Sequence, residues 1–129
     1  MTAHGAARDA PDRGSGTLAA MVVGCLILCA GLLLWAMVEA VVAHQRASVA
    51  ADLAAIAGAS RMARGGDDPC GLAHDIAGAN GASLSGCQVE GSDIVVTVVV
   101  PSPPMLARIA QSAGQEAPGI HAMARAGRP

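Results

Sequence analysis

Apolar and polar positions follow three different patterns along this chain, and the first is an unbroken apolar run. From Leu18 to Val38 every residue is apolar or glycine, with no charged, amide or hydroxyl side chain. At about 1.5 Å of rise per residue the run makes a rod of roughly 31 Å, against a bilayer hydrocarbon thickness of about 30 Å. A water-soluble helix of this length carries a polar face, and a fully buried one needs a large surrounding protein, which 129 residues do not supply. Residues 17–43 are therefore read as a transmembrane helix that crosses once. Trp35, an amphipathic indole near its end, and Glu39, one turn later, mark the membrane interface.

The second pattern is helical. Residues 44–64 contain no proline, and Val42, Val49, Leu53, Ile56 and Ala63 recur at sums of three and four, while Gln45, Arg46, Ser48, Asp52 and Arg61 lie off that stripe. The span is expected to continue into water as one amphipathic helix, packed there against something outside the membrane, until Gly65-Gly66 ends it. Val49, Asp52, Leu53 and Ile56 are the expected contact with a partner helix. The alternative for Asp52 is a solvated face.

The third pattern mixes short helical and alternating stretches over residues 65–129. Asp68-Pro69 reads as N-cap and first helical residue, Leu72, Ala73, Ile76 and Ala77 form one face, and Asn80-Gly81 supplies a stop. Leu84–Val89 and Ile94–Val100 flank Glu90-Gly91-Ser92-Asp93, a turn cluster between β-branched runs, which predicts a hairpin. Ile94–Val100 is apolar on both faces and is expected to be a central strand covered on both. Pro101-Ser102-Pro103-Pro104 halts it; Met105–Ala113 then reads as a helix with Leu106, Ile109 and Ala110 inward. Alternation over Ile120–Ala126 suggests a third strand. The expected class is α+β: a long N-terminal transmembrane helix continuing into an amphipathic one, with a small antiparallel sheet domain, exoplasmic and pilin-like.

Composition sharpens this picture. Hydrophobic residues make up 53% of the chain, yet Trp35 is its one aromatic, so an aqueous core must be built from Ala, Val, Leu, Ile and Met, which bury little area each. A net charge of −2 argues against a nucleic-acid partner, which selects concentrated basic patches. All eight basic residues are arginine, a bias that codons rich in G and C produce. Residues 1–16, with Arg8 and Arg13 against Asp9 and Asp12, are polar and patternless and read as a disordered tail. The arginines before the span lean towards a cytoplasmic N-terminus and an extracytoplasmic C-terminal domain. Cleavage near Val41-Val42-Ala43, as of a signal peptide, is the competing reading, although the apolar run exceeds the usual 7 to 15 residues of an h-region.

Four cysteines divide into two pairs. Cys25 and Cys29 share one face of the apolar helix and read as small fillers, with no chemistry assigned. Cys70 and Cys87 flank the short helix and first strand, and in an oxidising exoplasmic space they are expected to join; two free buried thiols are the alternative. Cys70 and His74, one turn apart, lack the paired spacing of a zinc site, so no metal and no cofactor are expected. His4, His44 and His121 are scattered, and no H-E-x-x-H, G-x-S-x-G or phosphate-cradling loop occurs. No catalytic residue is assigned.

Several short motifs point the same way. Asp12-Arg13-Gly14-Ser15-Gly16-Thr17 before the apolar run, then His44-Gln45-Arg46-Ala47 leading into Ala50-Ala51-Asp52-Leu53-Ala54-Ala55-Ile56-Ala57-Gly58-Ala59, resemble the TadE/TadG-like pilus-assembly proteins of the tight-adherence (Flp) pilus system. Asp68-Pro69-Cys70, Ala79–Ala82, Cys87–Gly91 and Ala124–Gly127 look like the short TadE-like proteins of actinobacteria within that group. The resemblance implies a minor pilin or pseudopilin-like membrane protein without enzymatic activity. Its implied partners are the membrane, other pilin-like subunits and Tad-type secretion machinery, with no small-molecule substrate. Such pilins carry a glutamate five residues beyond the glycine cut by prepilin peptidase; counted from Gly14 the position holds Ala19, and from Gly16 it holds Met21. A small anchored or shed protein acting alone as a binding module or effector is the alternative.

Overall fold

A computed structural model describes residues 14–127. The expected N-terminal tail, with His4, Arg8, Asp9, Asp12 and Arg13, lies almost wholly outside them. Six elements follow in order: α1 (Ser15–Ala63), α2 (Pro69–Ala79), β1 (Ser83–Glu90), β2 (Asp93–Val100), α3 (Pro104–Ser112) and β3 (Ile120–Gly127). The class is α+β, with a long apolar N-terminal helix and a three-stranded antiparallel sheet in the order β1-β2-β3.

Two compact units divide the chain, Met1–Trp35 and Ala36–Pro129. In the first, α1 presents Leu, Val, Ile and Met side chains on every side, and none of its most apolar window is buried. The helix is long and apolar enough to cross a membrane. The C-terminal part of α1 shares a core with the sheet. Its buried residues there are Ala43, Ala47, Ala50, Ala51, Ala54, Ala55 and Gly58, a stripe at helical spacing.

That stripe is the lid of the core in the second unit. Below it lie Ile94, Val96 and Val98 of β2, the largest fully buried side chains, with Ala73 and Ala77 of α2 and Ala124 of β3 alongside. A β-carbon added at Gly58 would come within 2.5 Å of Ile94 Cδ1 and 3.2 Å of the Pro69 carbonyl oxygen, so the backbone here packs directly on an isoleucine. The apolar stripe of Val42, Val49, Leu53 and Ile56 faces the other way and takes no part in this core.

Local signals explain the boundaries. Asp68 caps α2, its carboxylate accepting from the Gly71 N–H at 2.8 Å, although its own backbone is left-handed (φ 55°). Gly65 closes α1 at φ 71°, its N–H reaching the Met62 carbonyl and that of Gly66 the Arg61 carbonyl, the double bond of a Schellman ending. Gly81 and Gly114 close α2 and α3 in the same way. Glu90 pairs with Asp93 across the two-residue loop Gly91-Ser92, with positive φ at Gly91 only, as in a type II′ hairpin turn.

Two expectations are corrected. Strand β2 is covered on one face: Ile94, Val96, Val98 and Val100 are buried, whereas Val95, Thr97 and Val99 stay half-buried because no element packs over that side closely enough to seal it. Helix α3 buries none of its residues, and Leu106 and Ile109 point outward. Ser102, between two prolines, donates from its hydroxyl to the Pro118 carbonyl and closes the loop that carries α3, so the helix reaches its surroundings only through the half-buried Met105, Ala107 and Ala110.

Cys70 in the first turn of α2 and Cys87 in β1 form a disulfide, with Cα atoms 5.9 Å apart and a sequence separation of 17. Closing a loop of that size is worth roughly 3 kcal/mol in the chain-entropy picture. Reduction, or Cys70→Ser with Cys87→Ser, is expected to lower unfolding stability by about that amount, read as the shift in urea midpoint with and without dithiothreitol. Gly58→Val is expected to cost about 1–3 kcal/mol by overpacking against Ile94, measured by the same denaturation curves.

Candidate functional site

The surface most suited to function follows from how α1 divides its side chains. Alanines at 47, 50, 51 and 54 are wholly buried, so close contact with the sheet is made by methyl groups. Large aliphatics on the opposite side remain in solvent: Val49, Leu53 and Ile56 are between 43% and 59% exposed, and Val42 is likewise exposed. Isolated apolar residues on a surface are ordinary, but these four recur at helical spacing and make one exposed apolar row. Asp52 is exposed on one flank of the row and Arg46 on the other. A shallow cavity of about 280 Å³ opens at its N-terminal part, among Val42, Gln45, Arg46, Val49 and Asn80. The structure thus brings Val49, Asp52, Leu53 and Ile56 together on one exposed side of the helix.

The other sequence-derived positions distribute as follows. Trp35 is exposed at the end of the apolar run, and Glu39 is half-buried at the start of the second unit. Cys25 and Cys29 are exposed free thiols. Cys70 and Cys87 hold each other, which withdraws both sulfurs from any site with His74. His74 instead faces Asp75, with Nδ1 3.6 Å from the carboxylate, on the exposed side of α2. Among the described residues no three His, Cys, Asp or Glu side chains gather where they would hold a metal.

One cluster escaped the sequence reading. Arg125 of β3 donates from Nε to Asp93 at 2.9 Å, and its terminal nitrogens lie 2.9 Å from Asp93 and 3.1 Å from Glu90. The hydrogen bond to Asp93, then the charges of Asp93 and Glu90, push the guanidinium pKa above its ordinary value, so it stays protonated at every physiological pH. The triad pins β3 to the hairpin end on the open face of the sheet. Its signal was present in the alternation of β3, which sets Arg125 opposite Val95 and thus beside the hairpin carboxylates. A fork of this kind fixes geometry more than it adds stability at an exposed site.

The alanine face was also missed, because it carries no large apolar residue to mark it. Its positions nevertheless follow i, i+3, i+4, i+7 from Ala43 to Gly58. Exchanging outward residues should therefore be tolerated where inward ones are not. Val49→Gln with Leu53→Gln is expected to leave stability within about 1 kcal/mol, while Ala51→Gln, which buries an amide among methyl groups, should cost about 2 kcal/mol or more, measured by circular dichroism through chemical denaturation.

Residues 14–61 match the family model for putative Flp pilus-assembly TadE/G-like proteins. The matched range coincides with α1 and stops before α2, the sheet and α3. No curated protein and no solved structure matches the chain.

Proposed function

We propose that this chain, whose first long helix carries a TadE/G-like Flp pilus-assembly match, is a single-pass membrane protein acting as a minor pilin or pseudopilin-like component of Tad-type pilus assembly or secretion. The observation that carries the reading is the coincidence of the matched residues with one helix that is apolar on every side up to Trp35 and bears an unused aliphatic row after it. An all-apolar surface of that length is stable in hydrocarbon and not in water. The aliphatic row then serves assembly: Val49, Leu53 and Ile56 seat a helix of another pilin-like subunit, and Asp52 with Arg46 sets which helices are accepted.

The N-terminus lies in the cytoplasm and the sheet unit outside. Two features support this orientation. Arginine precedes the apolar run in the sequence, as the charge rule prefers, and the Cys70–Cys87 disulfide belongs to an oxidising compartment. The role is structural, with no reaction, cofactor, nucleic acid or small-molecule substrate. Absence of an acidic residue at Ala19 and Met21 separates the chain from subunits that enter a fibre by pairing a buried carboxylate with a neighbour's amine, and favours a place at the base or in the membrane platform.

Membrane fractionation and protease shaving of whole cells test this directly. The full-length product is expected to resist carbonate extraction, and trypsin added outside is expected to remove the sheet unit. A photo-crosslinker at Val49 or Leu53 should capture another small pilin-like protein, with at least a tenfold loss of assembled pili in the Val49→Gln, Leu53→Gln variant. A product released into the medium without its apolar run would instead make it a shed binding module.

A further inference from the structure

Helix α1 tells the two ends of the sheet apart. Gly58 packs on Ile94 beside the hairpin turn, and a cavity joins Ile56, Ala59 and Met62 to Gly91 and Ser92 of that turn. At the other end Val42 and Val49 share a cavity with Asn80, the C-cap of α2; Ser83 opens β1 three residues on and pairs with Val99. Val100, with Ile120 paired to it, therefore stands at the end where α1 enters the second unit. The apolar run stops at that same end, since Ala36, Met37 and Val38 are its last residues and the first of the unit.

Segment 101–119 leaves the sheet at Val100 and returns at Ile120, and its neck is closed by the Ser102 hydroxyl donating to the Pro118 carbonyl. From that neck hangs α3, none of whose residues is buried. Leu106 and Ile109 are 40% and 58% exposed, and with the exposed Ala113 they recur at i, i+3 and i+7, one apolar strip along one side of the helix. Arg108 flanks the strip and is the one charged residue of α3.

We propose, on the reading of α1 as a membrane span, that this strip docks on the lipid surface of the same membrane, Leu106 and Ile109 sinking among headgroups and upper acyl chains while Arg108 reaches a lipid phosphate. Area and tethering commit the strip to lipid. Two aliphatic side chains and a methyl group are a small fraction of the roughly 800 Å² per partner that a stable protein interface buries, so the strip alone does not hold a second copy or another subunit. A bilayer sets no such threshold, because the embedded part of α1 keeps it beside this end of the sheet and makes even a weak contact intramolecular. Net charge does not choose the surface: the carboxylates of Glu39 and Glu116 balance the guanidiniums of Arg46 and Arg108 at this end. Insertion is therefore expected on zwitterionic lipid.

Spin-label depth measurements on the full chain in phosphatidylcholine nanodiscs test this, with Cys70–Cys87 oxidised. A nitroxide is placed at Cys29 in the Cys25→Ala variant, or at Ile109→Cys or Gln111→Cys with Cys25→Ala and Cys29→Ala; collisions with oxygen report lipid and those with a water-soluble nickel chelate report water. Gln111 lies on the opposite side of α3 from Ile109. The oxygen-to-nickel ratio at 109 is expected to exceed that at 111 by about threefold or more. Adding Leu106→Asp is expected to bring the ratio at 109 down to that at 111, with the circular dichroism spectrum and the disulfide unchanged. Equal ratios at 109 and 111, while the Cys29 label sits in hydrocarbon, overturn the inference and leave the membrane span standing. A Cys29 label that nickel reaches overturns the span, and the inference with it. Shielding of 109 only in discs that hold two copies, with dipolar broadening between their labels, also overturns the inference and assigns the strip to a second copy.

Discussion

The close approach of a methyl-faced helix to a β-branched strand governs the second unit of this protein. Without phenylalanine or tyrosine, the chain has no large side chains with which to span a wide gap between layers. It fills the layer with methyl groups and β-branched side chains instead. Alanines at 47, 50, 51 and 54 let α1 descend onto Ile94, Val96 and Val98, and Gly58 lets the backbone itself touch Ile94. Alanine loses no rotamer freedom on burial, so a thin core of this kind orders at little entropic cost, though it also gains little area per residue. The Cys70–Cys87 bond makes up part of the shortfall by restricting the unfolded chain.

Putting small residues inward has an outward counterpart. The helix keeps its valines, leucine and isoleucine at 42, 49, 53 and 56 for the far side, and β3 sets Ala122, Ala124 and Ala126 beside Val98, Val96 and Ile94 of β2. Both choices leave apolar surface that the chain itself does not cover. A subunit meant for assembly needs such surface, while a self-sufficient monomer gains by sealing it.

Much of the architecture was legible from local signals. The apolar run, the Asp68-Pro69 start, the Asn80-Gly81 stop, the Gly91-Ser92 turn and the alternation of the last strand all rest on interactions within a few residues, and each element formed where those signals stood. What local signals left unread concerns faces. Val49, Leu53 and Ile56 make a more visible stripe than the seven small residues that pack on the sheet, which carry no bulk to mark them. Leu106 and Ile109 form an equally plain amphipathic face, yet both stay exposed in the folded chain. Of the candidate site, the residues along α1 were legible as a face. The Arg125 cluster with Asp93 and Glu90 was not, since it depends on the register in which β3 joins the hairpin.

Trp35, the chain's one aromatic side chain, belongs to the apolar unit and not to the unit that holds the sheet. Intrinsic fluorescence of this protein therefore reports on the surroundings of the exposed indole at the end of the apolar run, and no aromatic side chain stands in the sheet to report on it directly. Melting of the sheet is followed more directly by backbone signals or an introduced fluorophore.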